Sequence, residues 1–356
     1  MGDVAGMVLC AGLGTRLRPL TGRVPKPAVP VGGVPLIRWS LALLRGAGVR
    51  RAVVNVHHLP EEMAAAAQAA AAGLGLELAV SREPVIAGTG GALREAAPLL
   101  AGAGALLVLN GDVLFDVDLG AALAAHRASG ALATMVLLPM PAGERYAAVE
   151  VDAGGAVRRI AGAFGPGGDG LSPWHFSGVH VLSPALLAEV PAEPFERDVN
   201  RHVYPALMAG GQVRGHVASG YWNDLGTPGR YLAASRDLLA ERLPPNRFRG
   251  TDPFTGAAKL APGVRAAPSA RIAPGARLAG PALIQAGAEI AAGAEVGPQA
   301  VIGAGARIGA GAAVRRAVVW EGTRVAPGER VEDAIAAGEL RVRDPGEPTA
   351  PAPARR

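Results

Sequence analysis

Cysteine, lysine, aromatic residues and long apolar runs are all scarce in this sequence, and each shortage excludes something. The single cysteine, Cys10, has no partner for an intramolecular disulfide and fits a reducing, cytoplasmic setting. It closes an apolar run and reads as a small packing residue, not a reactive thiol. No apolar stretch reaches the roughly eighteen residues of a membrane span. The chain also opens without the charged-then-apolar pattern of a secretory leader, so no membrane association is expected. Aromatics are only 4% of a chain that is 50% hydrophobic, so the core must be built from Ala, Leu and Val. With 356 residues the chain holds about two domains.

Lysine stands only at 26 and 259; every other basic residue is arginine. The net charge of +5 raises nucleic acid as a partner, but the arginines lack the clusters and interleaved aromatics of a nucleic-acid surface. No nucleic acid is expected. Charge matters locally instead. Residues 8–31 read VLCAGLGTRLRPLTGRVPKPAVPV, an apolar strand running into a glycine-bearing loop. Gly12 and Gly14 let the backbone approach a ligand, and successive exposed N–H groups there make an anion-binding nest. Arg16, Arg18 and Lys26 bring positive charge to the same mouth. Lys26 supplies a compact ammonium in a chain that otherwise uses the planar guanidinium. A polyphosphate suits such a loop, although the spacing is neither GxxxxGK[ST] nor GxGxxG.

Apolar spacing predicts helices over 35–47 and 61–72, and strands over 51–56 and 76–80. This alternation predicts an α/β domain, a doubly wound, mostly parallel, Rossmann-like sheet with its ligand site at the carboxyl ends of the strands. His57 and His58 follow the second strand with no carboxylate or cysteine spaced to complete a metal site, and read as surface loop. Gly88, Thr89 and Gly90 form a flexible turn before a helix over 92–100, where bare backbone can approach a nucleobase. A strand over 105–109 runs into Asn110, Gly111 and Asp112, which sets a carboxylate at the ligand edge. Its hard oxygens suit Mg²⁺, an ion that takes one or two protein carboxylates along with substrate phosphates. Asp116 and Asp118 read as turn and N-cap residues before a helix over 119–128. Strands over 131–140 and 146–152 and a helix over 231–243 complete this half.

From 260 the character changes. Positions 260, 266, 272, 278, 284, 290, 296, 302, 308 and 314 read Leu, Ala, Ile, Leu, Ile, Ile, Val, Ile, Ile, Val. A strict period of six marks a parallel β-helix, with each hexad one short strand and turn, three to a coil. The phase is lost from about 319, and the tail after 343 is expected to be disordered.

Residues 8–31 resemble, nearly position for position, the signature loop of the sugar-1-phosphate nucleotidyltransferases, AGxGTRLxPLTxxxPKPxxPV. IAGTGGAL around Gly88, the NGD of Asn110 to Asp112, YAAVEVD, FSGVHVLSP and GYWNDLGTP are similar to further boxes of that family. Resemblance of the repeat to other hexapeptide proteins implies a left-handed β-helix, and the likeness to the nucleotidyltransferases places Arg16, Lys26, Asp112 and Asp224 in catalysis, with Asp112 and Asp224 as Mg²⁺ ligands. It implies a nucleotide site at Leu9, Ala11, Gly12, Gly14, Thr15, Arg16, Gly88, Thr89, Gly90, Asn110 and Gly111. A sugar site is implied at Glu150, Phe176, Ser177, Gly178 and Asn223. Two departures stand out. The family's Glu-Lys-Pro, whose lysine holds the sugar phosphate, is replaced near Arg158 and Arg159 by a stretch without lysine. Asn200-Arg201 falls where many relatives have Glu-Lys.

The expected layout is a nucleotidyltransferase domain over 1–245, a linker over 246–259, a β-helix over 260–330 and a tail over 343–356. The resemblance implies formation of an NDP-sugar and pyrophosphate from an NTP and a sugar 1-phosphate, with a look closest to mannose-1-phosphate guanylyltransferases. Uridylyl or thymidylyl transfer to glucose or N-acetylmuramate 1-phosphate stays open, as does a non-catalytic subunit that binds sugar nucleotide. An acyltransferase site in the repeat is not expected, because all seven histidines lie at or before 216 and the general base is missing there. The repeat is expected to serve structure and homo-oligomerisation.

Overall fold

The computed structural model describes residues 3–343 apart from 142, 145, 194, 244–246 and 249. The expected disordered tail lies outside the described residues. The first half is built on a nine-stranded sheet. Val4–Leu9, six residues with almost no polar atom, lies at its centre between Arg51–Val56 and Ala105–Asn110, parallel to both. Glu77–Arg82 extends this parallel part beyond Arg51–Val56. On the other side the sheet turns antiparallel through the long strand Ser172–Leu182, which pairs with Ala105–Asn110, Ala133–Leu138 and Ala148–Val151. The fold is therefore an α/β layer whose parallel part carries the expected ligand edge, joined to an antiparallel wing.

Helices cover both faces. Leu36–Gly46, Pro60–Ala71 and Pro228–Leu239 contribute to one core, and Gly88–Leu100 with Tyr204–Ala209 contribute to the other. Asp118 caps Leu119–Ser129 by accepting from the Ala121 N–H at 2.9 Å. Asp116 is buried and accepts from the Tyr221 N–H, which closes the end of the two-stranded pair Leu114–Phe115 with Trp222–Asn223. Gly88, Thr89 and Gly90 belong to the first turn of the helix itself, not to a free turn before it. The reason is close packing: a Cβ on Gly88 would stand 2.3 Å from the Arg197 carbonyl, and Gly90 N–H donates to that same oxygen at 2.9 Å.

The second half is a parallel β-helix. Arg271 pairs with Glu289, and Glu289 with Arg307, eighteen residues per coil. From the slip of phase near 319 the coils shorten to seventeen residues, since Arg307 pairs with Arg324, Val301 with Val318 and Val318 with Ile335. Strands then continue in register to Ala334–Ala337, and Leu340–Arg343 folds back antiparallel on the last of them. The coil thus runs past the expected end at 330, because a hexad can lose a turn residue and keep its inward-pointing aliphatic.

The outward residues divide the prism into unequal sides. Two sides carry Arg271, Glu289, Arg307 and Arg324, and Arg277, Glu295 and Arg330. The third carries Leu283, Val301, Val318 and Ile335, all buried in the core of the first half. Each such fully buried aliphatic contributes roughly 1.5–3 kcal/mol. Gln285 donates to the Gly32 carbonyl at 2.7 Å and the Trp320 indole N–H to Tyr231 Oη at 3.0 Å across the same seam.

Candidate active site

The carboxyl ends of four parallel strands converge on a cavity of about 320 Å³. Leu9, Ala11, Gly12, Gly14 and Thr15 line it from the first strand and its loop, and Asn110 and Asp112 from the strand beside it. Three 3₁₀ turns shape the loop, and Leu17 and Leu20, fully buried, anchor it to the core. Gly14 takes a left-handed φ of 59°. The Thr21 hydroxyl donates to its carbonyl at 2.8 Å, and a ring nitrogen of His58 bonds the Thr21 carbonyl at 2.9 Å. His57 makes a similar bond to the Glu83 carbonyl, so both histidines serve as loop ties. Burial pushes the Cys10 thiol far above its usual value, which keeps it an inert packing group.

Two cations enter the cavity in different ways. The Lys26 side chain is 6% exposed and fixed: Nζ donates to Asp112 Oδ2 at 2.9 Å and to the Asp224 carbonyl at 2.8 Å. The Arg16 side chain is 66% exposed, with Nη1 3.8 Å from Asp224 Oδ2, and can swing toward a ligand. Arg18 is exposed and does not line the cavity. Lys26 thus draws two aspartates from distant strand ends to one place. Two hard carboxylates beside a phosphate-sized cavity match the donor chemistry of Mg²⁺, which is completed by substrate oxygens and water. Among the described residues no group of three or more His, Cys, Asp or Glu is arranged to hold a metal alone.

The far wall holds residues that no motif indicated. Asn55 and Glu83 line the cavity at the ends of the next two strands. Glu83 is buried, with Oε1 accepting from Asn55 Nδ2 at 2.8 Å and Oε2 from the Ala87 N–H at 3.0 Å. Asn55 in turn accepts from the Cys10 N–H at 2.7 Å. This leaves a rigid carboxyl group at the wall of the cavity, each of its oxygens already accepting one hydrogen bond. A polar Asn inside the buried run RAVVNV was the one signal for it.

The other expected residues are placed differently. Gly90 faces the Arg197 backbone, and Gly111 donates to the Leu9 carbonyl at 3.0 Å, packing against Cys10; neither lines the cavity. Ser177 is fully buried and donates to the Val136 carbonyl, while Gly178 (φ 89°) packs on Asn110. Phe176 stacks on His180 at 4.6 Å. Asn223 stitches its own loop, accepting from Leu225 N–H and donating to the Arg230 carbonyl. Glu150 is held by both arms of Arg159, and Arg158 by Asp152, so the two arginines of the lysine-free stretch are engaged along their own hairpin. Arg201 stacks over Phe164.

Beside Asp224 lies an aromatic cluster. Tyr146, His175 and Trp222 rings meet at centroid distances of 4.2–5.3 Å, and Arg230 lies over Tyr146 with Nη1 3.2 Å from Asp224 Oδ1.

Comparison with known proteins agrees with this geometry. The chain matches the nucleotidyl transferase family over residues 5–241 and the GMPPB C-terminal domain over 278–344. It is similar to a mannose-1-phosphate guanylyltransferase of Mycobacterium tuberculosis, 32% identical over 70% of this chain and 68% of that one. A probable mannose-1-phosphate guanylyltransferase 1 of Oryza sativa is 29% identical over 67% of this chain and 66% of its own length. The chain thus spans about two thirds of the length of these two relatives. An N-acetylmuramate alpha-1-phosphate uridylyltransferase of Caulobacter vibrioides is 36% identical over 65% of this chain and 96% of its own. No helix among the described residues is long and apolar enough to cross a membrane.

Proposed function

Because this chain belongs to the nucleotidyl transferase family, we propose that it makes an NDP-sugar and pyrophosphate from an NTP and a sugar 1-phosphate, using GTP and mannose 1-phosphate. The observation that carries this reading is the meeting of Asp112, Asp224 and Lys26 at the mouth of a glycine-rich anion nest. The sugar phosphate oxygen forms a bond to the α-phosphorus as the bond from that phosphorus to the β-phosphate oxygen breaks, and the electron pair leaves with pyrophosphate. Asp112 and Asp224 would hold Mg²⁺, which when bound neutralises phosphate charge as a Lewis acid. The loop amides of 12–15 and Arg16 hold the leaving pyrophosphate. Lys26, already fixed, sets its charge against the negative charge that builds at the reacting phosphorus, at no cost in reorganisation. Positioning and charge neutralisation are all the protein must supply.

Glu83 supports guanine. Guanine presents adjacent N1–H and N2–H₂ donors, which a rigid carboxylate accepts together. Uracil presents one N–H flanked by two carbonyls, which the same carboxylate repels. The guanylyltransferases among the relatives agree, whereas the Caulobacter protein favours UTP with N-acetylmuramate 1-phosphate as the second reading. A cytoplasmic setting belongs to the proposal, as does self-association through the β-helix, for which its two Arg- and Glu-bearing sides would serve.

The test is pyrophosphate release from GTP, UTP, dTTP, ATP and CTP, each against mannose, glucose and N-acetylmuramate 1-phosphates with Mg²⁺. GTP with mannose 1-phosphate dominating is the expected result. A dominant UTP pair moves the reading to the uridylyltransferase. Silence across the grid with sugar nucleotide still binding makes the chain a regulatory subunit.

A further inference from the structure

The two oxygens of the Asp224 carboxylate face two different guanidinium groups. Oδ2 looks toward Arg16 in the nucleotide cavity at 3.8 Å, and Oδ1 toward Arg230 at 3.2 Å. Arg230 is three-quarters buried, stacked on Tyr146, and its Nη2 is bonded to the carboxylate of Glu144. One guanidinium therefore sits between two carboxylates, one of which reaches it from the segment before the Ala148–Val151 strand.

Next to this pair is an unsatisfied group. His175 is 4% exposed, wedged between Tyr146 and Trp222, and neither ring nitrogen has a hydrogen-bond partner among the described residues. Burial lowers its pKa, so the ring is a neutral imidazole with one donor and one acceptor. Leaving such a group unpaired is costly, and a sugar hydroxyl, itself donor and acceptor, would satisfy it.

We propose that Arg230 is the seat for the phosphate of the sugar 1-phosphate, that the Glu144 carboxylate occupies this seat until substrate displaces it, and that His175 reads a sugar hydroxyl. The inference rests on the nucleotidyl-transfer reading above. In-line displacement needs the attacking oxygen and the departing pyrophosphate on opposite sides of the α-phosphorus. Arg16 and Arg230, on opposite oxygens of Asp224, provide one cation for each. Lysine is absent between 27 and 258, so an anion seat in that stretch falls to arginine or histidine. The arginines at 158 and 159 are taken up by Asp152 and Glu150, each on its own hairpin. Arg230 differs from them in lying against Asp224, a candidate metal ligand.

Opposite effects of two variants test this. Arg230→Gln is expected to raise KM for the sugar 1-phosphate about tenfold or more, with KM for the NTP and half-saturation by Mg²⁺ changed less than about twofold. Arg230→Lys is expected to recover part of the loss, and Glu144→Gln, which removes the resident competitor, to lower the same KM by about threefold. Inorganic phosphate should compete with the sugar 1-phosphate in the parent chain and more weakly in Arg230→Gln. In His175→Leu phosphate should compete as before while the sugar's KM rises. If Arg230→Gln disturbs NTP and Mg²⁺ as much as the sugar phosphate, Arg230 merely holds Asp224 and the proposal fails. A raised KM in Glu144→Gln also overturns it. Calorimetric titration with mannose, glucose and N-acetylmuramate 1-phosphates separates the two readings. A parent chain that binds one of them through Arg230 yet releases no pyrophosphate removes the proposed reaction and keeps the seat. An active parent chain indifferent to Arg230→Gln does the reverse.

Discussion

Lys26 Nζ lies 2.9 Å from Asp112 Oδ2, although Lys26 sits in a 3₁₀ turn of the loop and Asp112 follows the strand Ala105–Asn110, and the same ammonium reaches the backbone of Asp224 at 2.8 Å. A single buried cation therefore ties the carboxylate of one aspartate to the backbone of the other. Lys26→Ala is expected to lower kcat by at least about a hundredfold, the scale of losing one preorganised charge partner. Lys26→Arg should not restore it, because a planar fork does not fit the space of a side chain that is 6% exposed. Asp112 is 42% exposed and stays hydrated in Lys26→Ala, but the buried Asp224 carbonyl loses its donor, so the melting temperature should fall by a few degrees, about what one unpaired buried acceptor costs, while turnover falls far more.

Asp112→Asn and Asp224→Asn each remove a hard, charged oxygen from the same spot. Turnover should fall by about a hundredfold or more in each, and the Mg²⁺ concentration for half-maximal rate should rise. A titration of rate against Mg²⁺ checks both. Near-parental turnover in either variant takes that aspartate out of the site.

Glu83→Gln tests the base reader. The amide still offers one oxygen but turns an N–H₂ toward the partners that now donate to the carboxylate, or donates it to a base carbonyl that the carboxylate repels. The ratio of kcat/KM for GTP over UTP should fall by about tenfold, within the range a single unpaired polar group commands. An unchanged ratio removes Glu83 from base selection.

The parts of this site legible in the sequence were those that chemistry makes rare or fixes at a strand end. Lys26 stood out among arginines, Asp112 followed a predicted central strand, and the loop at 12–15 showed its glycines. Glu83 was hidden because it follows a strand predicted two residues too short, and a lone Glu carries no spacing signal. Gly90, Gly111 and Ser177 lie inside matching boxes, yet each meets a backbone carbonyl, because packing and ligand contact use the same small residue types. His175 gains meaning only when the antiparallel wing brings it against Trp222, a long-range contact that no local pattern reports, whereas Arg230 meets Asp224 locally, from the start of the helix Pro228–Leu239. In the β-helix the period of six was plain. The apolar outward residue at every third hexad, Leu283 then Val301, was present in the same rows and needed the docked catalytic half to explain it.

His180 gives a pH dependence of stability unconnected with the active site. It is 3% exposed, bonded to Tyr204 Oη at 2.8 Å, and burial lowers its pKa from 6.5 to about 3. The folded chain keeps this imidazole neutral while the unfolded chain protonates it below its ordinary pKa. The penalty is absent above pH 6.5 and grows as pH falls from there toward 3, by about 1.4 kcal/mol per pH unit. Urea midpoints at pH 7, 5.5 and 4.5 should therefore drop, and His180→Gln, which keeps a partner for Tyr204, should drop less. Parallel pH curves for the two proteins would mean that His180 protonates without cost.

The seam between the two halves predicts that they unfold together. Leu283, Val301, Val318 and Ile335 are as buried as residues of the sheet's own core, and they share it with Tyr231 and Leu238 of the helix Pro228–Leu239. Val301→Asp places a carboxylate there without a partner, a cost of several kcal/mol, and should lower the melting temperature by about 5 °C or more. Arg271→Gln, on an outward side exposed to water, loses only a surface ion pair with Glu289 and should shift it by about 1 °C or less. Calorimetry of the parent chain should give one cooperative transition. Two transitions, with Val301→Asp moving only the one that belongs to the β-helix, would mean that the apolar side rests on the catalytic half without sharing its core. In that case the Lys26–Asp112–Asp224 arrangement would survive melting of the helix, and activity would persist between the two transitions.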